Sequence, residues 1–313
     1  MRQSLQILTD ELRRLKTEGV GVVAVSDEAL AALRRVVAGR QERSRQTPPA
    51  VAPFPGNVRA PVEGALPAYT PPAASAPAAP VLPTAPVAKL PASPVVPPLA
   101  GDKRTRWDAL LAQVTGDLTC QANVRPGKKV VLGVGSLDAA IMFVGEAPGA
   151  EEEIQGEPFV GPAGQLLTKM IQGMGLRRED VYIGNIMNWR PQMPTVAGRE
   201  QVGNRPPTEE EMRYCLPYLL AQIEIVDPAV LVALGSTAAQ GLLGFRSFKT
   251  LGEVRGRWHN FAGKPLMITY HPSYILREPT NRKKRLIWED LLQVMERVAL
   301  PISDRQRAYF LER

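Results

Sequence analysis

From residue 102 onward this 313-residue chain reads as a three-layer α/β/α domain around a central, mostly parallel four-stranded sheet. Three observations predict it. Apolar runs of strand length recur, each bounded by glycine or polar turn residues. Segments with helical spacing separate them, as βαβ crossovers require. Several runs end on a polar residue at what would be one rim of the sheet, where open α/β sheets bind ligands.

Residues 3–17, QSLQILTDELRRLKT, place Leu5, Leu8, Leu12 and Leu15 at helical spacing. Ser26 can cap a second helix with Leu30, Leu33 and Val37 on its apolar face. Residues 1–46 are thus expected to be a helical segment too small for its own core, which docks onto a partner or onto the main domain. Residues 47–101 are rich in proline and alanine and nearly uncharged, with 16 of the chain's 30 prolines between 48 and 98. They are expected to form a disordered linker of polyproline character, which acts as a spacer or binds a proline-recognising protein.

The folded domain is then expected over 102–300, with 301–313 as a tail. Trp107, Leu110, Leu111 and Val114 share a helical face. Lys129 to Leu132 and Ile141 to Val144 read as strands, and a helix follows over about 163–174 with Leu166, Leu167, Met170 and Ile171 on one face. Val181 to Ile183 is a strand that ends on Gly184 and Asn185. Residues 190–207 read as a long polar loop. Thr208 and Glu211 form a capping box for a helix carrying Met212, Cys215, Leu219 and Ile223. Val230 to Leu234 is a strand closed by Gly235, with a helix through Ala239 and Leu243. Leu266 to Tyr270 is the last strand, and Ile287 to Val298 the closing helix.

Composition limits the function classes. No apolar run reaches membrane-spanning length and no signal-peptide stretch opens the chain, so no membrane association is expected. Two cysteines, Cys120 and Cys215, are too few for a disulfide framework and fit a reducing cytosol. The net charge of +7 divides as +3 for residues 1–46, +1 for 47–100 and +3 for 101–313. That permits an anionic partner, and location matters more than total.

The strand ends carry the chemistry. Ile141 to Val144 breaks into Gly145-Glu146-Ala147-Pro148-Gly149, a turn in which two glycines permit close backbone approach. Phe159 follows on a glycine-flanked loop, either as a ligand platform or as a core plug. Asn185 offers donor and acceptor and can read a base edge or an amide, or serve as a turn residue. His271, held by Pro272, can donate a hydrogen bond to a developing oxyanion, or cap its strand. Arg282, Lys283, Lys284 and Arg285 suit a phosphate backbone or form a solvated helix start.

The stretch GEAPGAEEEIQGEPFVGPAGQLL, the strand end YIGN, the block CLPYLLAQIEIVDPAVLVALGSTAAQGLLG and the segment TYHPSYILR together resemble the uracil-DNA glycosylase superfamily, specifically its family 4. The resemblance spans about residues 102–300 and leaves out the first hundred. It implies that Phe159 stacks on a flipped uracil and that Asn185 hydrogen-bonds the uracil edge. It also implies that His271 steadies negative charge on uracil O2 as the glycosidic bond breaks. Glu146 and Ala147 fall in the family's water and pocket motif. Tyr274 to Arg277, including Leu276, match the loop that enters the duplex at the vacated base.

Two departures stand out. Family 4 enzymes typically bind a [4Fe-4S] cluster through four cysteines. Here Cys120 matches one of the first pair, its companion falling on Asp117 or Asn123; Trp189 replaces the third cysteine and Cys215 matches the fourth. Two thiolates are inadequate for ligation, so no cluster or other cofactor is expected and the cysteines are remnants. The gap from Pro191 to Asn204 is also longer than the family's. The expectation is a monofunctional glycosylase acting as a monomer on uracil-containing DNA in the cytoplasm, at the nucleoid. The competing reading is a non-catalytic or altered-specificity DNA-binding relative that recruits partners through its N-terminal segment.

Overall fold

The computed structural model describes residues 90–195 and 200–311. The readings for residues 1–46 and for most of the linker lie outside the described residues. Its elements run in order α1 (Lys103–Gly116), α2 (Leu118–Ala122), β1 (Val134–Gly135), β2 (Ile141–Gly145), α3 (Ala150–Gln155), α4 (Pro162–Gly173), a 3-10 turn (Arg178–Asp180), β3 (Tyr182–Asn185), α5 (Glu209–Val226), β4 (Val230–Leu234), α6 (Ser236–Leu243), α7 (Leu251–Val254), β5 (Trp258–Phe261), β6 (Lys264–Thr269), α8 (Ser273–Arg277), α9 (Asn281–Arg297) and α10 (Asp304–Arg307).

The sheet order is β1-β3-β2-β4-β6-β5. The inner strands β3, β2, β4 and β6 are mutually parallel. Four of the five segments read as strands form this parallel core, but the described sheet has six strands where four are expected. Short antiparallel β1 and β5 flank the parallel core. The expected strand at Lys129 to Leu132 is not one. Its backbone passes residue 188, with Val131 N–H donating to the Asn188 carbonyl and Asn188 Nδ2 to the Val131 carbonyl. Gly133 N–H is taken by the Gln222 side chain. Side chains here satisfy groups that a neighbouring strand would otherwise pair.

Strand side chains alternate between two cores, one on each face. Met142 and Val144 join the core under α1, α5 and α6. Ile141 and Phe143 join the one under α4 and α9. Asp102 caps α1 by accepting from Thr105 N–H, and the Thr208–Glu211 capping box starts α5. Pro162, whose missing N–H costs nothing at the first helical position, opens α4.

Both flanks of the domain pack. The last part of the proline-rich stretch lies against the core through Leu90, Val96 and Leu99. There Ser93 Oγ donates to the Arg213 carbonyl and Gln113 Nε2 to the Val95 carbonyl. In the C-terminal tail, Tyr309 packs on Trp288, whose indole N–H donates to the Gln306 carbonyl at 2.6 Å.

Candidate active site

Because β2, β3, β4 and β6 run parallel, their carboxyl ends open on one rim. Register sets Gly145 beside Asn185 and Leu234 beside Thr269. The β2–β3 pairing continues past the strands through Ile186 N–H to the Gly145 carbonyl and Met187 N–H to the Glu146 carbonyl. Asn185 is therefore fixed by backbone on both sides.

Gly145 is where the Asn185 amide and the Phe159 ring approach the strand end most closely. A Cβ there would stand 2.4 Å from Asn185 Oδ1 and 2.5 Å from two ring carbons of Phe159. Only hydrogen lets the amide and the ring meet over the strand end. Asn185 is 6% exposed, and its Oδ1 is buried without a hydrogen-bond partner. A buried acceptor left unsatisfied costs on the order of 1–3 kcal/mol. That is expected where a ligand donor completes it.

Phe159 is buried with φ +56°, left-handed backbone that non-glycine residues seldom adopt. Glu152, at the start of α3, holds this loop: one carboxylate oxygen accepts from Val160 N–H at 3.0 Å and Gly161 N–H at 2.9 Å, the other from Gly149 N–H at 3.0 Å. One side chain thus ties the Glu146–Gly149 turn to the aromatic loop. The Phe159 and His271 rings lie 5.6 Å apart between centroids, tilted by 32°.

His271 stands two residues past the end of β6. Its Nδ1 accepts from Ser273 N–H at 3.2 Å and lies 2.9 Å from the Ser273 hydroxyl. A backbone amide only donates, so Nδ1 carries no proton and the neutral ring bears it on Nε2. Burial, aided by the Arg277 cation, pushes the imidazole down to about 4. Gly235 makes room for it, since a Cβ there would stand 2.9 Å from His271 Cβ. Glu146, at the end of β2, has its carboxyl raised by burial, with the Thr237 hydroxyl acting the other way. Ala147 is half-buried against the neighbouring core.

The remaining predicted residues divide. Leu276 and Arg277 are exposed on α8, while Tyr274 stacks on Tyr270 at 4.4 Å and lies under Lys283. The basic run is not four equal cations. Lys283 pairs with Glu278. Arg285 pairs with Glu289 and donates to the Arg307 and Tyr309 carbonyls. Lys284 lies over Phe310, and Arg282 is exposed.

Asn204 and Arg190 were not singled out by the sequence. Arg190 forms a buried ion pair with Glu153 at 2.8 Å and donates to Asn204 Oδ1 and the Gln201 and Gly203 carbonyls. This brings Asn204 Nδ2 to 3.7 Å from where a Gly149 Cβ would be, at the pocket turn. The signal was a Gly-Asn turn ahead of Pro206, lost within a polar loop.

The four-cysteine cluster does not fit these residues. Cys120 and Cys215 are fully buried free thiols, both raised by burial. Asp117 is occupied by both Tyr214 and Tyr218 hydroxyls and by the Thr119 and Cys120 amides. Trp189 is fully buried beside Tyr214, ring centroids 5.9 Å apart. No group of three or more His, Cys, Asp or Glu able to hold a metal occurs among the described residues.

One α/β rim thus joins a buried aromatic ring, an unsatisfied amide oxygen and an Nε2-protonated histidine. Residues 132–292 match the model of the uracil DNA glycosylase superfamily. The chain is 46% identical over 165 residues to the Type-4 uracil-DNA glycosylase of Thermotoga maritima, covering 52% of this chain and 79% of that protein. It is 43% identical to the Type-4 enzyme of Archaeoglobus fulgidus over 49% of this chain and 75% of that protein. With the Pyrobaculum aerophilum Type-4 enzyme the identity is 43%, over 50% and 77%. The chain belongs to the uracil DNA glycosylase superfamily.

Proposed function

We infer that this protein is a DNA repair glycosylase that hydrolyses the N-glycosidic bond of uracil in DNA and leaves an abasic site. A base inside a duplex must leave the stack before its glycosidic carbon can be reached. In this reading uracil enters the rim pocket and stacks on Phe159. The uracil N3–H meets the unsatisfied Asn185 Oδ1, and this orphaned acceptor is the observation that carries the proposal. As the bond to the sugar breaks, charge collects on the pyrimidine. His271 Nε2–H, already neutral and aimed by Ser273, donates to O2 without having to lose or gain a proton. Glu146 and Ala147 line the turn beside which water approaches the sugar. Leu276 fills the space the base vacates, with Tyr274 and Arg277 beside it. In the run Arg282, Lys283, Lys284 and Arg285 it is chiefly Arg282 and Lys284, without carboxylate partners among the described residues, that add positive charge toward phosphates.

The family's cluster has no part in these steps, and we propose that the chain works without it. The decisive test is an oligonucleotide carrying one uracil, incubated with stoichiometric protein and then cleaved with alkali. Strand scission at that position is expected. An uncleaved strand would leave a non-catalytic DNA-binding protein.

A further inference from the structure

Phe159 holds its ring in a left-handed backbone conformation, so something must keep the loop from relaxing. Glu152 secures the amides after Phe159, as described above. The carbonyl before it, that of Pro158, has another partner. Arg178, at the start of the 3-10 turn, donates from Nη2 to this oxygen at 2.6 Å. Its Nη1 reaches the Thr168 hydroxyl at 3.4 Å, and Thr168 in turn donates to the Gly164 carbonyl at 3.1 Å. Gly164 is where α4 comes closest to Phe159, since a Cβ there would lie 1.8 Å from the Phe159 carbonyl oxygen. The guanidinium therefore joins the strained loop to the helix it presses against.

The Arg178 guanidinium directs its hydrogen bonds to the loop and the helix beside it. It is half-buried, and both hydrogen bonds go to neutral oxygens instead of a carboxylate. A charged donor makes a stronger bond to a carbonyl than a neutral one would. Pro158 lacks an N–H, so this carbonyl is its one polar backbone group.

We propose that Arg178 is a positioning residue for base recognition, acting through Pro158 to hold the Phe159 ring in its stacking orientation. The inference rests on the reading of Phe159 as the uracil platform.

The test compares Arg178→Met, Arg178→Gln, Arg178→Lys and Phe159→Ala in the full chain. Four quantities are measured: single-turnover rate on uracil DNA, inhibition by free uracil, affinity for DNA with a tetrahydrofuran abasic analogue, and thermal midpoint. Arg178→Met and Arg178→Gln should weaken uracil inhibition and slow cleavage about tenfold, the scale of one charge-assisted hydrogen bond. Affinity for the abasic analogue, which offers no base to stack, should stay at the parent value. Arg178→Lys, able to reach the same carbonyl, should recover most of the loss. Parental uracil inhibition in Arg178→Met alongside its loss in Phe159→Ala would overturn the proposal. So would a loss that tracks the thermal midpoint and extends equally to abasic DNA. If Phe159→Ala itself keeps parental uracil inhibition, the platform reading fails, and this inference with it.

Discussion

Ser273 holds His271 Nδ1 with both its amide and its hydroxyl, which leaves the opposite nitrogen as the ring's donor. Removing that donor, by His271→Ala, should slow single-turnover cleavage by roughly 10²-fold or more, the scale of one lost oxyanion donor. Ser273→Ala should slow it far less, because the amide still orients the ring.

The same ring sets a pH dependence. Its folded value of about 4 lies below the ordinary 6.5, so the folded state binds the proton less well than the unfolded chain. Stability contributed by neutral His271 is complete above about pH 6.5 and declines as pH falls toward 4. Cleavage should therefore show no acid limb from this histidine until near pH 4. A His271→Gln variant should flatten the pH dependence of stability between 4 and 6.5, read by urea unfolding across that range.

Asn185→Ala should reduce both the rate and the discrimination for uracil, because it removes the unpaired Oδ1 that would accept from the uracil N3–H. Rates on uracil, and inhibition by free uracil against free thymine, measure the two effects separately.

Most of the architecture was legible beforehand. The central strands β2 and β4 are apolar on both faces, as buried parallel strands commonly are, so Ile141 to Val144 and Val230 to Leu234 stand out. Edge strand β5, WHNF, has no such run, and α3, AEEEIQ, is too short and acidic to show an apolar face. Asn185 was readable because it ends a strand, and His271 because it follows one closely. Arg178, Glu152 and Arg190 were not, since their partners are backbone groups and buried carboxylates set by tertiary approach.

The basic run should respond unevenly. Arg282→Ala and Lys284→Ala should weaken DNA binding whatever the base and lower the salt slope by about 1 each. Arg285→Ala should instead loosen the tail, because Arg285 holds the carbonyls of Arg307 and Tyr309. Binding titrations at several salt concentrations, with thermal midpoints, distinguish these effects. Equal slopes in Arg282→Ala, Lys284→Ala and the parent would make the run a solvated helix start.

Purified protein should be colourless, without absorbance near 400 nm or stoichiometric iron by elemental analysis. Trp189→Ala should destabilise by about 3–5 kcal/mol, as for a large buried aromatic, and affect activity only secondarily. About four iron atoms per chain after anaerobic purification would contradict this.

Arg190→Met leaves Glu153 buried without its cation and should cost about 3–5 kcal/mol in urea unfolding. Gln201 to Asn204 lose their tie at the same time. A drop in cleavage rate larger than that of an equally destabilised Trp189→Ala variant would place Asn204 in the site's working geometry.

The backbone pairing that carries β3 past Asn185 also divides the pocket by its kinetics of opening. Amides of Ile186 and Met187 donate across the sheet to residues 145 and 146, so their hydrogen exchange with solvent should require the whole domain to open. Amides of Val160 and Gly161 are held by one carboxylate side chain, and should exchange through a local excursion of far lower free energy. The Asn185 wall of the rim should thus open only with the fold, while the Phe159 face should open by a local excursion.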